Sequence, residues 1–184
     1  HALFHAISAF CNAGFALFDD NLTQYRDDPL VNAVICMLIV IGGIGFPVLL
    51  DLLRNRSVPM KDRWRRLTLH SKLTLIGTGG LIVGGTVAIM ILERNATLHD
   101  TSFAQSFQIA TFHSISARTA GFNTVDLGLM SNATLFVIIL LMMVGAGPCS
   151  TGGGFKVSTL MILLSRAWAS MRGYHRVHAF KRSI

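Results

Sequence analysis

Phe4-His-Ala-Ile-Ser-Ala-Phe-Cys-Asn-Ala-Gly-Phe15 and Phe112-His-Ser-Ile-Ser-Ala-Arg-Thr-Ala-Gly-Phe122 are one phrase written twice, about a hundred residues apart. They agree at Phe, His, Ile, Ser, Ala and the closing Ala-Gly-Phe, with one residue deleted from the second copy. A polar, acid-containing stretch follows each copy, holding Asp19, Asp20, Asp27 and Asp28 in one case and Asp126 in the other. Next come Asn32-Ala33 or Asn132-Ala133, then a long apolar span that ends glycine-rich, at Gly42 to Phe46 and at Gly152 to Phe155. The repeating unit is therefore short helix, loop, outer connection, spanning helix, and such internal repeats define the architecture of many channels and transporters.

The rest of the chain says what solvent that unit lives in. It is 52% hydrophobic and 14% charged over 184 residues, with a mean hydropathy of +0.55, too oily for an ordinary soluble domain. A bilayer core of roughly 30 Å needs about 20 apolar residues of helix. Leu30 to Leu50, Leu73 to Leu92 and Ala133 to Leu164 meet that need, the last one interrupted by Gly145-Ala-Gly-Pro-Cys-Ser-Thr-Gly-Gly-Gly154. The net charge of +7 could suggest nucleic acid, but the cations flank the spans and lack the interleaved aromatics that base stacking uses. Arg54, Arg56, Lys61, Arg63, Arg65 and Arg66 follow the first span, and Arg166, Arg172, Arg176, Lys181 and Arg182 follow the third. The positive-inside rule makes both regions cytoplasmic and puts the loop from Glu93 to Asp100 outside.

Ser102 to Ala117 is too short and too polar to cross a bilayer, with Gln105, Gln108, His113, Ser114 and Ser116 along it. A half-length helix that hands over to an Ala-Gly-Phe loop inside the membrane is a re-entrant element, tolerated only where protein or water surrounds it. Its carbonyl end carries partial negative charge that favours a cation. The glycine that follows can present carbonyl oxygens toward one axis, and a ring of carbonyls replaces the hydration shell of an alkali ion. A tight turn is the bland alternative for one such loop; the duplication argues for a cation filter in both.

At these residues the sequence resembles the Trk/Ktr/HKT superfamily of potassium transporters, most closely the bacterial KtrB/TrkH-type pore-forming subunits. Ser8 to Phe15 is similar to that family's second filter loop, Ser116 to Asp126 to its third, and Gly147 to Lys156 to the broken helix after the third loop. The fold the resemblance implies is an all-α membrane protein made of repeated helix, re-entrant pore helix with filter loop, and helix units, as in potassium channels. Four such repeats surround one pore in the family, so the first repeat, the start of the second and the fourth would lie outside these residues. Residues 1–53 would then close the second repeat, 54–68 form a cytoplasmic loop, 69–165 the third repeat, and 166–184 a cytoplasmic segment. Potassium would be held at the Gly14 and Gly121 loops, with Asn12, Ala13, Phe15, Thr119, Ala120 and Phe122 completing them. Potassium would be the substrate of uptake across the bacterial plasma membrane, with no cofactor in the chain and no enzymatic activity. A sodium-permeable member of the superfamily, or a secondary carrier for a small solute, is the alternative; such carriers repeat in inverted orientation, whereas the charge pattern here orients both copies alike. The resemblance also implies a homodimer of pore subunits, a cytoplasmic nucleotide-binding ring of KtrA/TrkA type and a membrane-lipid environment, with no nucleic acid.

The interruption is not a phosphate loop, because Lys156 follows Gly-Gly-Gly-Phe rather than standing in Gly-Lys-Ser/Thr. Glycine and proline inside a span free backbone groups that must line a cavity. By resemblance this is an intramembrane gating loop, carried by Gly145, Gly147, Ser150, Thr151, Gly152, Gly153, Gly154 and Lys156; a plain kink is the alternative. Lys156 is a charge at membrane depth, either functional or paired with a backbone carbonyl or an acidic residue elsewhere. His5 and His113 hold equivalent positions and read as braces of the short helices rather than as metal ligands. Arg118 is expected to point away from the pore and brace its loop. Cys11, Cys36 and Cys149 have no metal or redox spacing and read as packing residues, and Asn21, Asn95 and Asn132 begin Asn-x-Thr sequons on the outer side.

Overall fold

The computed structural model describes residues 1–94, 96–99, 101–172, 178–179 and 182–183. Asn95, Asp100, Arg176 and Lys181 lie outside the described residues. The helices are α1 (Ala2–Phe10), α2 (Pro29–Ile44), α3 (Phe46–Arg54), α4 (Met60–Arg66), α5 (Leu69–Leu92), α6 (Phe103–Ser116), α7 (Asn132–Met143) and α8 (Val157–Met171). The architecture is all-α, apart from a two-residue antiparallel pairing of His178–Ala179 with Arg182–Ser183 among the described residues.

Local chemistry sets the helix starts. Asp28 caps α2 by accepting from the backbone amides of Leu30 and Val31, with Pro29 in the first turn, where its missing N–H costs nothing. Ser102 and Gln105 form a reciprocal capping box at the head of α6. Thr68 caps α5 and Ser131 caps α7, each accepting from the amide three residues on. Thr68 starts α5 four residues before the span expected at Leu73.

Among the described residues α5 alone is long and apolar enough to cross a membrane unaided; its 24 residues extend about 36 Å at 1.5 Å per residue. The expected continuous span from Leu30 to Leu50 is instead two helices, α2 and α3, bent by 95°. Gly45 makes the bend at φ 98 and ψ 145, torsions that a side chain would forbid. Pro47 in the first turn of α3 has no N–H to continue the ladder. The amide of Phe46 leaves α2 altogether and donates to the carbonyl of Cys149. The third span breaks as expected, between Met143 and Val157.

The two units share one interior. Ala9 and Ile39 of the first pack with Phe112 and Phe122 of the second in a single buried cluster. The α6 helix lies on α5, where the Ser114 hydroxyl donates to the carbonyl of Ile82 at 2.9 Å. Glycine at 85 permits that approach, since a Cβ there would overlap Ser114 Oγ and crowd Leu141. At the far end the connections interlock: Leu22 N donates to Asn123 O at 3.0 Å, and Asn123 N to Asn21 Oδ1 at 3.1 Å.

Candidate ion-conducting site

Each short helix delivers the chain into a loop with the same alternation of torsions. Asn12 and Gly14 have φ of 52 and 72, Thr119 and Gly121 have φ of 89 and 85, and the alanines between them stay at negative φ. Ordinary extended backbone points successive carbonyls to opposite sides; alternating left-handed residues with ordinary ones turns them to the same side. Glycine adopts the left-handed region freely and asparagine tolerates it. For the β-branched Thr119 it is a strained conformation, of about 1–3 kcal/mol, held only by its surroundings. The loops also face each other, because a Cβ on Gly14 would overlap the Ala120 carbonyl oxygen and lie 3.2 Å from Gly121 Cα.

A census of hydrogen bonds marks where the exposed carbonyls stop. Among the described residues no donor reaches the carbonyls of Asn12, Ala13, Gly14, Thr119, Ala120 or Gly121. The next carbonyl along is claimed in both copies: Ser8 Oγ donates to Phe15 O at 2.9 Å and Ser116 Oγ to Phe122 O at 2.6 Å. The histidines meet the chain two residues further on. His5 Nε2 accepts from Leu17 N at 3.2 Å, and His113 Nε2 lies 3.4 Å from Thr124 Oγ1, in line with the bracing role expected of them. Phe122 is buried in the cluster shared with Ala9 and Ile39, while Phe15 is 69% exposed.

The broken segment 144–156 sits against both loops. Thr151 Oγ1 receives Asn12 Nδ2 at 2.8 Å and donates to Phe10 O at 3.0 Å. Gly152 lies beneath Thr119, since a Cβ there would stand 2.6 Å from Thr119 Oγ1. Backbone meets backbone elsewhere: Gly147 N donates to Gly43 O at 2.8 Å and Gly145 N to Phe155 O at 3.0 Å. A Cβ on Gly145 would overlap Gly153 O, and one on Gly147 would overlap Ile44 O. Ser150 Oγ donates to Gly147 O at 2.6 Å, whereas Gly153 is open on its Cβ side and Gly154 takes φ 76. Lys156 Nζ donates to the Gly152 carbonyl at 2.7 Å, the backbone-carbonyl alternative of the two readings left open. Contacts along α5 fix the relative heights: Glu93 meets Ser131, Gly85 meets Ser114, and Thr74 meets Gly147. At 1.5 Å per residue, the end of α6 lies about 12 Å and the broken segment about 28 Å along α5 from Glu93.

A family model described as TrkH, cation transport protein, matches residues 1–184. The chain belongs to the TrkH family. Ktr system potassium uptake protein B of Vibrio alginolyticus is 42% identical over 190 residues, matching 100% of this TrkH-family chain and 40% of the relative. The Bacillus subtilis protein of the same name is 42% identical over 185 residues at the same coverages. Potassium/sodium uptake protein NtpJ of Enterococcus hirae is 39% identical over 184 residues, again 100% of this chain and 40% of that protein. The chain thus spans about 40% of the length of these relatives. The crystal structure of the potassium transporter TrkH from Vibrio parahaemolyticus superposes with a TM-score of 0.74 at 20% identity, covering 93% of this chain and 35% of that one, which establishes a shared fold. Membership places this chain, as a multi-pass protein, in the cell membrane.

The structure differs from expectation around the loops of this TrkH-family chain. Arg118 is buried, and its Nε and Nη1 meet no acceptor among the described residues. Asp28 caps α2 and the exposed Asp126 caps the short turn Leu127–Leu129. Of the cysteines only Cys36 is partly buried; Cys11 and Cys149 are exposed, and Cys149 takes φ 54. Sequence reasoning missed Glu93, which is fully buried and accepts from Ser131 N at 2.8 Å and Thr97 Oγ1 at 2.9 Å. Burial pushes its carboxyl up, but hydrogen bonds from Thr134, Ser131 and Thr97 outweigh that and hold it below the ordinary 4.5. The signal available was an acid closing an apolar span four residues after Ile89.

Proposed function

We propose that this chain forms part of the wall of a membrane pore that takes up potassium, with residues 12–15 and 119–122 as two arcs of one selectivity filter. The observation that carries the reading is the paired loops, in which alternate left-handed residues leave six carbonyls unclaimed beside the negative ends of two helix dipoles. Segment 144–156 is the intramembrane gate: it contacts both loops through Thr151 and Gly152 and is built from glycines that can hinge. Residues 1–53 and 69–165 are then two successive pore repeats, joined by a cytoplasmic loop at 54–68 and followed by a cytoplasmic segment at 166–184. No catalytic step is part of this function. Relatives named for potassium uptake support the cargo. The relative named for potassium and sodium keeps a sodium-permeable pore as the second reading.

The family resemblance supports a homodimer in the bacterial plasma membrane, docked on a nucleotide-binding ring. The basic residues from Arg54 to Arg66, with Arg166 and Arg172, are available to that ring or to anionic lipid. The test uses the full-length gene in a bacterium lacking potassium uptake, grown at limiting potassium. Wild type restores growth, Gly121→Ser lowers potassium preference, and deletion of residues 147–153 leaks. Absence of any potassium or sodium flux from the wild type overturns the pore reading and favours a solute carrier.

A further inference from the structure

The two serine hydroxyls that meet the filter loops occupy equivalent places in the two repeats. Ser8 and Ser116 both lie in the last turn or two of their short helices, both are buried, at 6% and 2% exposure, and both donate to the carbonyl of the phenylalanine that follows the filter glycine. The loops differ by one residue in length, so the bond spans seven positions in the first copy and six in the second. It nevertheless reaches the same carbonyl. Preservation of the acceptor across a length change points to the bond itself, rather than to a fixed sequence spacing, as what the fold keeps.

We propose that Ser8 and Ser116 are specificity-determining positioning residues of the filter, each ending the run of ion-facing carbonyls at the glycine. A carbonyl that accepts a hydroxyl at 2.6–2.9 Å has its oxygen directed into the protein and partly satisfied, so it does not serve as an ion ligand. The bond fixes the last free peptide, that of Gly14 or Gly121, from behind. The position of that peptide sets the distance of its oxygen from the pore axis, and discrimination between alkali ions depends on the number and placement of such oxygens. Without the hydroxyl the Phe15 or Phe122 carbonyl is free to rotate toward the axis, which adds a ligand and loosens the ring. The proposal rests on the pore reading given above.

The test uses the full-length protein, purified and reconstituted in liposomes, and measures the relative permeation of potassium, rubidium and sodium for wild type, Ser8→Ala, Ser116→Ala, the double variant and the two serine-to-threonine variants. Expected is a fall of tenfold or more in the potassium-over-sodium ratio for each alanine variant, and restoration by threonine, which keeps the hydroxyl. Unchanged ratios in alanine variants that carry wild-type flux overturn the proposal and leave the serines as packing groups. Should an alanine variant fail to reach the membrane, the same measurement on Ser8→Cys and Ser116→Cys decides, since a thiol donates only weakly: a wild-type ratio there overturns the proposal and a reduced one supports it. A wild type that carries neither potassium nor sodium is instead a failure of the pore reading.

Discussion

Replacing Thr151 by valine removes one hydroxyl at nearly constant volume and weakens the tie between the hinge segment and the first filter loop. That oxygen accepts from Asn12 Nδ2 at 2.8 Å and donates to Phe10 O at 3.0 Å. The remaining contacts of the amide, to Ile39 O at 3.4 Å and Phe10 O at 3.5 Å, are near the limit of useful hydrogen bonds. A neutral hydrogen bond contributes about 0.5–1.5 kcal/mol net, so the two together favour the seated position of segment 144–156 by about 2 kcal/mol. If the seated loop is the closed state, Thr151→Val shifts the balance toward the displaced state by about thirtyfold, at 1.4 kcal/mol per factor of ten. Rubidium influx into liposomes without any regulatory partner reads this as a rise in basal flux of up to that factor. Asn12→Ala removes only one of the two bonds, so it should raise flux by less than Thr151→Val, and the double variant should show little more flux than Thr151→Val alone. Basal flux equal to wild type in Thr151→Val, or fully additive effects in the double variant, refutes the coupling.

At the filter, Gly14→Ala should abolish potassium-dependent growth, because its Cβ would overlap Ala120 O. Gly121→Ala meets only Gly14 Cα at 3.9 Å and should retain partial transport at a torsional cost of about 1–2 kcal/mol. Lys156→Met leaves the Gly152 carbonyl without its 2.7 Å donor and should raise basal flux in the same liposome assay, by less than removal of the loop does. Glu93→Gln should lower the thermal midpoint of the full-length protein at pH 7. Because the folded carboxyl titrates below 4.5, its contribution is complete above that pH and fades as pH falls through the lower folded value. The difference between wild type and Glu93→Gln therefore narrows below pH 4.5, and a difference independent of pH from 7 to 3 counts against the assignment.

The repeat, the extent of α6 and the place of the second break were all legible because each has a local cause. A capping box opens α6, and Pro148 with its neighbouring glycines interrupts the third span. The 95° bend at Gly45 was not legible, although the Gly42 to Gly45 tract was noticed. Gly45 and Pro47 permit the bend locally, but the partners that hold it are distant: the Phe46 amide is satisfied by Cys149 O, and Gly147 N by Gly43 O. Thr119 is a similar case. A β-branched residue gives no sign of left-handed torsion, and the conformation is imposed by the Ser116 backbone carbonyl, which accepts from both Ala120 N and Gly121 N. The filter glycines and the loop members Asn12 and Thr119 were visible in the sequence; the left-handed torsions of Asn12 and Thr119, which complete the alternation, were visible only in the fold.

The interlock of the outer connections has a consequence for how such a protein is made. Asn21 and Asn123 are 102 positions apart, and at roughly 5–20 residues per second the ribosome needs about 5–20 s to deliver the second after the first. During that interval the first filter loop lacks the loop it faces, and the semi-polar α6 that packs against α2 has not yet been synthesised. The first repeat must therefore wait in the insertion machinery or at the protein–lipid boundary as an incomplete half-site, and the filter becomes a defined object only when the second repeat arrives.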